Sequence, residues 1–235
     1  MKVSTLAAIL GAFVGFVASA PSYETNAQRM ARGLPPNPPK FLREPTSVQV
    51  ARRTQPSPQP PVKYTGRLEV RTQEGHNSGH VRNWETPGTI SGVNFLGPED
   101  DLLVSIIPCA SGEKLFDIFS TNPKFPAPFY VGAAGSTLIP GERSVISFTN
   151  VEQTSPNSLP SSSPRGGFVE SAIWTIDSNT KELKAQWINP DGSRPPTVLA
   201  YNIRSNALFF VSDIDAWNEN NNTPASAVKL FLVPV

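Results

Sequence analysis

Two histidines, one cysteine and a scatter of loop carboxylates are what this sequence offers for reactive chemistry. His76 and His80 stand four apart in Gly75-His76-Asn77-Ser78-Gly79-His80. On a helix that spacing would turn two imidazoles to one face, ready for a metal. Here two glycines and an Asn-Ser pair make a turn feeding a strand, so turn polarity is the stronger reading and no metal site is expected. Cys109 ends the apolar run Ile106-Ile107-Pro108, which suits a buried small hydrophobe. Lacking an intramolecular partner, it could instead form an intermolecular disulfide. No Gly-x-Ser-x-Gly is present, and Gly132-Ala133-Ala134-Gly135-Ser136 lacks the trailing glycine and a nearby base. No Gly-rich phosphate loop opens a helix. No catalytic residue and no cofactor are therefore expected.

Carboxylates and aromatics leave more room. Glycoside cleavage needs two acids facing each other across a cleft, and Asp177, Asp191, Asp213 and Asp215 are the candidates. Asp213-x-Asp215, followed by Asn218 and Asn220, also gathers hard oxygens of the kind calcium prefers, without the glycine and closing glutamate of an EF-hand. Asp and Asn are equally the residues that build turns between strands, and that explanation is the stronger one. Among the four tryptophans, Trp217 is flanked by Asp215 and Asn218 in a polar stretch. A solvent-facing indole ringed by amides and carboxylates suits stacking on a sugar, so Trp217, Asp215, Asn218 and Tyr201 are the expected ligand residues. The plainer alternative is an indole tucked over a core edge. Trp84, Trp187 and Trp174 read as core pillars.

The elements that must position these residues are short strands. Apolar alternation recurs at 67–72, 80–84, 89–95, 102–107 and 115–120, then at 169–177, 183–188, 197–203, 208–212 and 228–233. Weaker runs lie at 129–132, 136–139 and 145–149, and no window of helical length keeps a 3.6-residue period. The pattern predicts an all-β sandwich or barrel of about 10–12 short strands over residues 62–235. The two strong series also align, each placing a Trp at a strand end before a Pro-containing turn (Trp84 and Trp187). This predicts two related halves, 64–120 and 169–235, separated by an insertion at 121–168. The insertion's tail, Glu152–Gly167, is rich in Ser and Pro and reads as a flexible, O-glycosylated surface loop. Asn221-Asn222-Thr223 is an N-glycosylation sequon in a polar loop.

The N-terminal region has a different composition. Lys2, the apolar stretch Leu6–Val17 and the small-x-small triplet ending at Ala20 read as a secretory signal peptide over residues 1–20, with cleavage near Ala20. Residues 21–61 hold nine prolines between Pro35 and Pro61 and carry six basic against two acidic side chains. Proline fixes φ and donates to no ladder, so this arm is expected to be extended and disordered. It has room for one short helix around Tyr23–Arg32, with Thr25 as its N-cap. Arg52-Arg53 is either a processing site releasing a leader up to Arg53 or two solvated charges in a linker. The remainder of the chain is net acidic.

The arm stretches TNAQRMARGLPPNPPKF and PTSVQVARR, together with AIWTIDSNTKELKAQWINPDGS, resemble a group of secreted proteins of mushroom-forming (basidiomycete) fungi. In that group a TNAxRxARGLPP…ARR arm precedes a β domain with W-x-x-D…L-x-A-Q-W-x-N-x-D-G. The resemblance covers nearly the whole chain except the 121–168 segment. It implies an extracellular fungal protein of arm-plus-β architecture, and no activity, ligand or catalytic residue.

Composition closes off several classes. Over 235 residues, 20 basic against 19 acidic side chains give a net charge of +1, which excludes an electrostatic nucleic-acid binder. One cysteine excludes a disulfide scaffold. No second apolar stretch of spanning length follows the leader, so no membrane span is expected after its removal. What remains is a secreted, non-enzymatic binding or cell-surface protein contacting wall polysaccharide or an extracellular protein. The alternatives are a glycan hydrolase with an unidentified acid pair, or a structural, effector-like interaction protein.

Overall fold

The computed structural model describes residues 24–37, 62–84, 90, 92–108, 115–164, 166–219 and 221–235. Ala20, Arg52, Arg53, Cys109 and the apolar stretch 6–17 lie outside them. The chain divides into two units, Met1–Gln55 and Pro56–Val235. In the first, α1 spans Asn26–Ala31. It forms for the reason its sequence predicts: Thr25 caps it, with the Gln28 N–H on the Thr25 hydroxyl and the Gln28 side chain returning to the Thr25 N–H.

The second unit is all β. Its strands are β1 (Tyr64–Thr72), β2 (Asn77–Val81), β3 (Val93–Asn94), β4 (Leu103–Ile106), β5 (Ile118–Ser120), β6 (Tyr130–Gly135) and β7 (Val145–Val151). There follow β8 (Ser161–Ser162), β9 (Phe168–Glu170), β10 (Trp174–Ile176), β11 (Glu182–Ala185), β12 (Val198–Asn202), β13 (Ala207–Val211), the short helix α2 (Ile214–Asn218) and β14 (Ser226–Val233). Eight of them close an antiparallel barrel in the order β1-β4-β5-β6-β7-β13-β12-β14. The seam is a six-pair ladder between β14 and β1, from Arg67 opposite Val233 to Thr72 opposite Val228. Closure leaves the ring without an unpaired edge.

Alternation decides what fills the barrel. Leu68 and Val70, Val104 and Ile106, Val131 and Ala133, Ile146 and Phe148, Leu199 and Tyr201, Leu208 and Phe210, and Val228, Leu230 and Leu232 all join one core. Trp174 belongs to β10, outside the ring, yet its indole packs against Phe148 and Phe210 with ring centroids 6.1 and 6.0 Å away. Its Nε1 donates to the Val131 carbonyl at 2.8 Å. Strands outside the ring attach where a ring strand changes partner: β6 pairs with β5 at residues 130–131 and with β9 at 133–135. Gly132 stands at that switch, and a Cβ there would run into the Glu170 carbonyl oxygen.

Several expectations change. The 121–168 segment, expected as an insertion between the halves with weaker strands at 129–132 and 145–149, supplies β6 and β7, two of the eight staves. Its Ser/Pro tail is held down: β8 pairs with β9, and buried Thr154 exchanges hydrogen bonds with Ser171. The run 169–177 breaks into β9 and β10 at Ser171-Ala172-Ile173, where Ser171 turns to Thr154 and Asp117. Residues 136–139 form no strand, since both backbone groups of Leu138 bond to the Asn189 side chain. As for the two halves, the β1–β2 hairpin has a counterpart in β10–β11. Beyond it the pairings differ: β4 joins β1 and β5, whereas β13 joins β12 and β7. The matched tryptophans differ too, Trp187 fully buried and Trp84 half-buried under the Arg82 guanidinium.

Candidate functional site

A cleft of about 670 Å³ lies on the outer wall of the barrel, within the range of small-ligand sites. Its floor follows from register. Ala134, Ser147 and Phe209 stand side by side across β6, β7 and β13. Small side chains beside one large ring leave a trough, which Thr149 and Ala207 continue. One wall is the turn around Ser163, Pro164 and Gly166; the other is α2 and the loop after it, through Trp217, Asn221 and Thr223.

Trp217 is half-buried on α2, not on a loop. Asp213 explains the helix, since its carboxylate accepts the Asp215 and Ala216 N–H groups and so caps it. The helix seats Ile214 and Trp217 on Ala200, Phe209, Val211 and Ala225, a second apolar cluster outside the barrel. The Trp217 and Phe209 rings are 5.0 Å apart at 52°, and the Arg143 guanidinium lies 5.5 Å from the indole. Trp217 Nε1 is buried without an acceptor among the described residues.

The other expected ligand residues separate. Asp215 is exposed on the first turn of α2. Asn218 is not available to a ligand: its Nδ2 donates to the Ala225 carbonyl at 2.9 Å while its Oδ1 accepts the Ala225 N–H at 2.8 Å. Tyr201 is buried, not exposed, because the strand alternation that turns Ala200 outward turns Tyr201 into the barrel. Burial pushes its phenol pKa up. Its hydroxyl donates to Asn206 Oδ1, and that amide holds both backbone groups of Val93 on β3.

Three of the four carboxylates expected for hydrolysis are used in separate turns or caps. Asp177 accepts the Thr180 and Asn179 amides, which lower its pKa. Asp191 accepts the Ser193 hydroxyl and amide, with the same result. Asp213 caps α2, and Asn220 lies outside the described residues. Among the described residues lining the cleft, the one carboxylate is Glu152. No group of three or more His, Cys, Asp or Glu positioned for a metal occurs among the described residues, and no helix among them is long and apolar enough to cross a membrane.

Two features escape sequence reasoning. On the outer face of β1–β3, buried Asp101 gathers His80 Nδ1 at 3.3 Å and Arg67 Nε at 3.4 Å on Oδ2, and Asn94 Nδ2 at 2.7 Å on Oδ1. The period-2 pattern of β1 announces that Arg67 faces outward, but no local signal brings Asp101 to it. Glu170 is buried with the Ile188 N–H as its one hydrogen-bond donor among the described residues, and burial raises its pKa to about 7. Neither group lines the cleft. No family model, no curated protein and no solved structure matches this chain.

Proposed function

We propose that this is a secreted, non-enzymatic binding or cell-surface protein of fungal origin, whose outer cleft takes a wall polysaccharide chain. The observation that carries the reading is the cleft's make-up. Trp217, backed by Phe209, forms an aromatic wall above a trough of hydroxyl-bearing and small side chains. A sugar offers an apolar ring face to the indole and hydroxyls to the polar rim. A hydrolase would need a second carboxylate facing Glu152; Asp177, Asp191 and Asp213 are spent in turns or a helix cap, and Asp215 does not line the cleft. Secretion rests on the leader ending near Ala20, and processing at Arg52-Arg53 would set the mature N-terminus. The matching of 64–120 with 169–235 in sequence belongs to the same reading, as a duplication whose halves have since diverged in pairing.

A second reading draws on α1. None of its residues is buried, and Met30 is 64% exposed, so the arm offers an apolar contact to an extracellular protein.

The test is to incubate the full chain, made in a host that adds no N-glycan, with insoluble fungal and plant wall polysaccharides, following protein depletion and released reducing sugar. Depletion without release is expected. Trp217→Ala should weaken retention on the order of tenfold with the fold intact, as for loss of a central aromatic anchor. Release of sugar would establish the hydrolase. Loss of depletion only on removal of residues 21–61 would shift the function to the arm.

A further inference from the structure

We propose that the cleft is the seat of the chain's own N-linked glycan, carried on Asn221 and lying against Trp217. The inference rests on the secretion reading, since the modification needs the secretory path.

Three observations converge on it. First, Asn221 and Thr223 of the sequon line the same cleft as Trp217. A sugar on Asn221 therefore starts inside the wall and does not have to find it. Second, hydrogen bonds tie down the residues that flank the sequon. Asn218 clamps Ala225 through two hydrogen bonds, and Asn202 Nδ2 donates to the Thr223 carbonyl at 2.8 Å. Third, the sequon's own geometry leaves the reactive atom open. Asn221 Oδ1 accepts the Thr223 hydroxyl at 3.3 Å and its N–H at 3.4 Å, while Nδ2 has no partner among the described residues.

The attachment chemistry balances with a lipid-pyrophosphate oligosaccharide as donor. Nδ2 attacks the anomeric carbon, and the bond from that carbon to the pyrophosphate oxygen breaks with its electron pair. The Nδ2 proton passes to base, leaving an N-glycoside and a lipid pyrophosphate. Transfer onto the nascent chain precedes closure of the barrel, so half-burial of Asn221 in the finished fold does not oppose it. Once folded, a glycan tethered at the wall has an effective concentration on the order of mM. It fills the trough ahead of an outside polysaccharide, and trimming the glycan opens the cleft.

The experiment uses the full chain secreted from a eukaryotic host. Intact mass and peptide mapping should place a glycan on Asn221. Acrylamide quenching of tryptophan fluorescence should rise when an endoglycosidase trims the folded protein, and the rise should vanish in a Trp217→Phe background. Asn221→Gln and Thr223→Ala, which remove the sequon by different side chains, should match the trimmed protein. An unmodified Asn221, or quenching unchanged by trimming, overturns the proposal. Retention on insoluble polysaccharide separates it from the function above. A rise of threefold or more after trimming supports both. If no form is retained while the quenching difference persists, the glycan seat stands and polysaccharide binding falls.

Discussion

The two outer faces of the barrel treat polar side chains in opposite ways. On the β1–β3 face, Asp101 is tied to Arg67, His80 and Asn94, and Glu69 Oε1 accepts Arg71 Nε at 2.6 Å. The Arg71 guanidinium in turn covers Phe231, 4.1 Å from its ring centroid. On the β7–β13 face the side chains are short, and an aromatic pair stands at one wall of the trough they leave. Charge density alone would point to the first face as the place of chemistry. Geometry points to the second, because a carboxylate holding three partners has little left for a ligand. Side chains too small to fill the space above them leave room for one.

Removing the centre of the charged face should have the largest effect. Asp101→Ala strands Arg67 and His80 without their shared acceptor, while Asn94 keeps the Gly97 carbonyl, and breaking a buried pair of this kind costs about 3 kcal/mol. The expected outcome in denaturant unfolding is a drop of that order, with polysaccharide retention by the folded protein unchanged. Retention lost at unchanged stability would make Asp101 part of a site and collapse the contrast between the faces.

Glu170 sharpens the contrast from the other side, as a buried acid with no cation bonded to it among the described residues. Its folded pKa of about 7 lies above the ordinary 4.5. Between those values the folded chain keeps a proton that the unfolded chain has released. Stability therefore falls as pH rises through that window, and the full loss is present above about pH 7. The shift corresponds to roughly 3 kcal/mol. Glu170→Gln keeps an oxygen for the Ile188 N–H and removes the charge. It should flatten the slope between pH 5 and 8 and leave the variant the more stable form at pH 8. A slope retained in the variant would place the titration elsewhere.

The barrel's interior was legible where alternation is clean. Leu68-x-Val70, Leu208-x-Phe210 and Val228-x-Leu230-x-Leu232 each announce an inward row. The closure between β1 and β14 had no local sign, because its partners lie some 160 residues apart in sequence. The stretch 121–168 reads as an insertion because Pro, Gly and Ser dilute its pattern, yet β6, β7 and the residues Ser163, Pro164 and Gly166 form about half of the cleft. Trp217 could be picked out from its polar neighbours, but the wall facing it could not. Asparagine misleads for a physical reason. Its amide carries one donor face and one acceptor face, as a peptide group does. Asn189, Asn206 and Asn218 each grip both backbone groups of one residue, at Leu138, Val93 and Ala225. In sequence such a clamp looks the same as a ligand.

Tyr201 gives the smallest and most discriminating test. Sequence places it with Trp217 as a ligand residue; the structure puts it on the opposite side of the same strand pair, bonded to the asparagine that holds β3. Tyr201→Phe deletes one hydroxyl from a packed interior and should lower stability by about 1 kcal/mol, the ordinary net worth of a hydrogen bond. Asn206 Oδ1 keeps the Val93 N–H, so the β3 clamp loosens without parting. Amide exchange at Val93 should quicken, while the outer face, and with it retention on polysaccharide, stays as it was. Retention falling with Tyr201→Phe as it does with Trp217→Ala would mean that the ligand reaches through the sheet, and the outer cleft would no longer be a separate site.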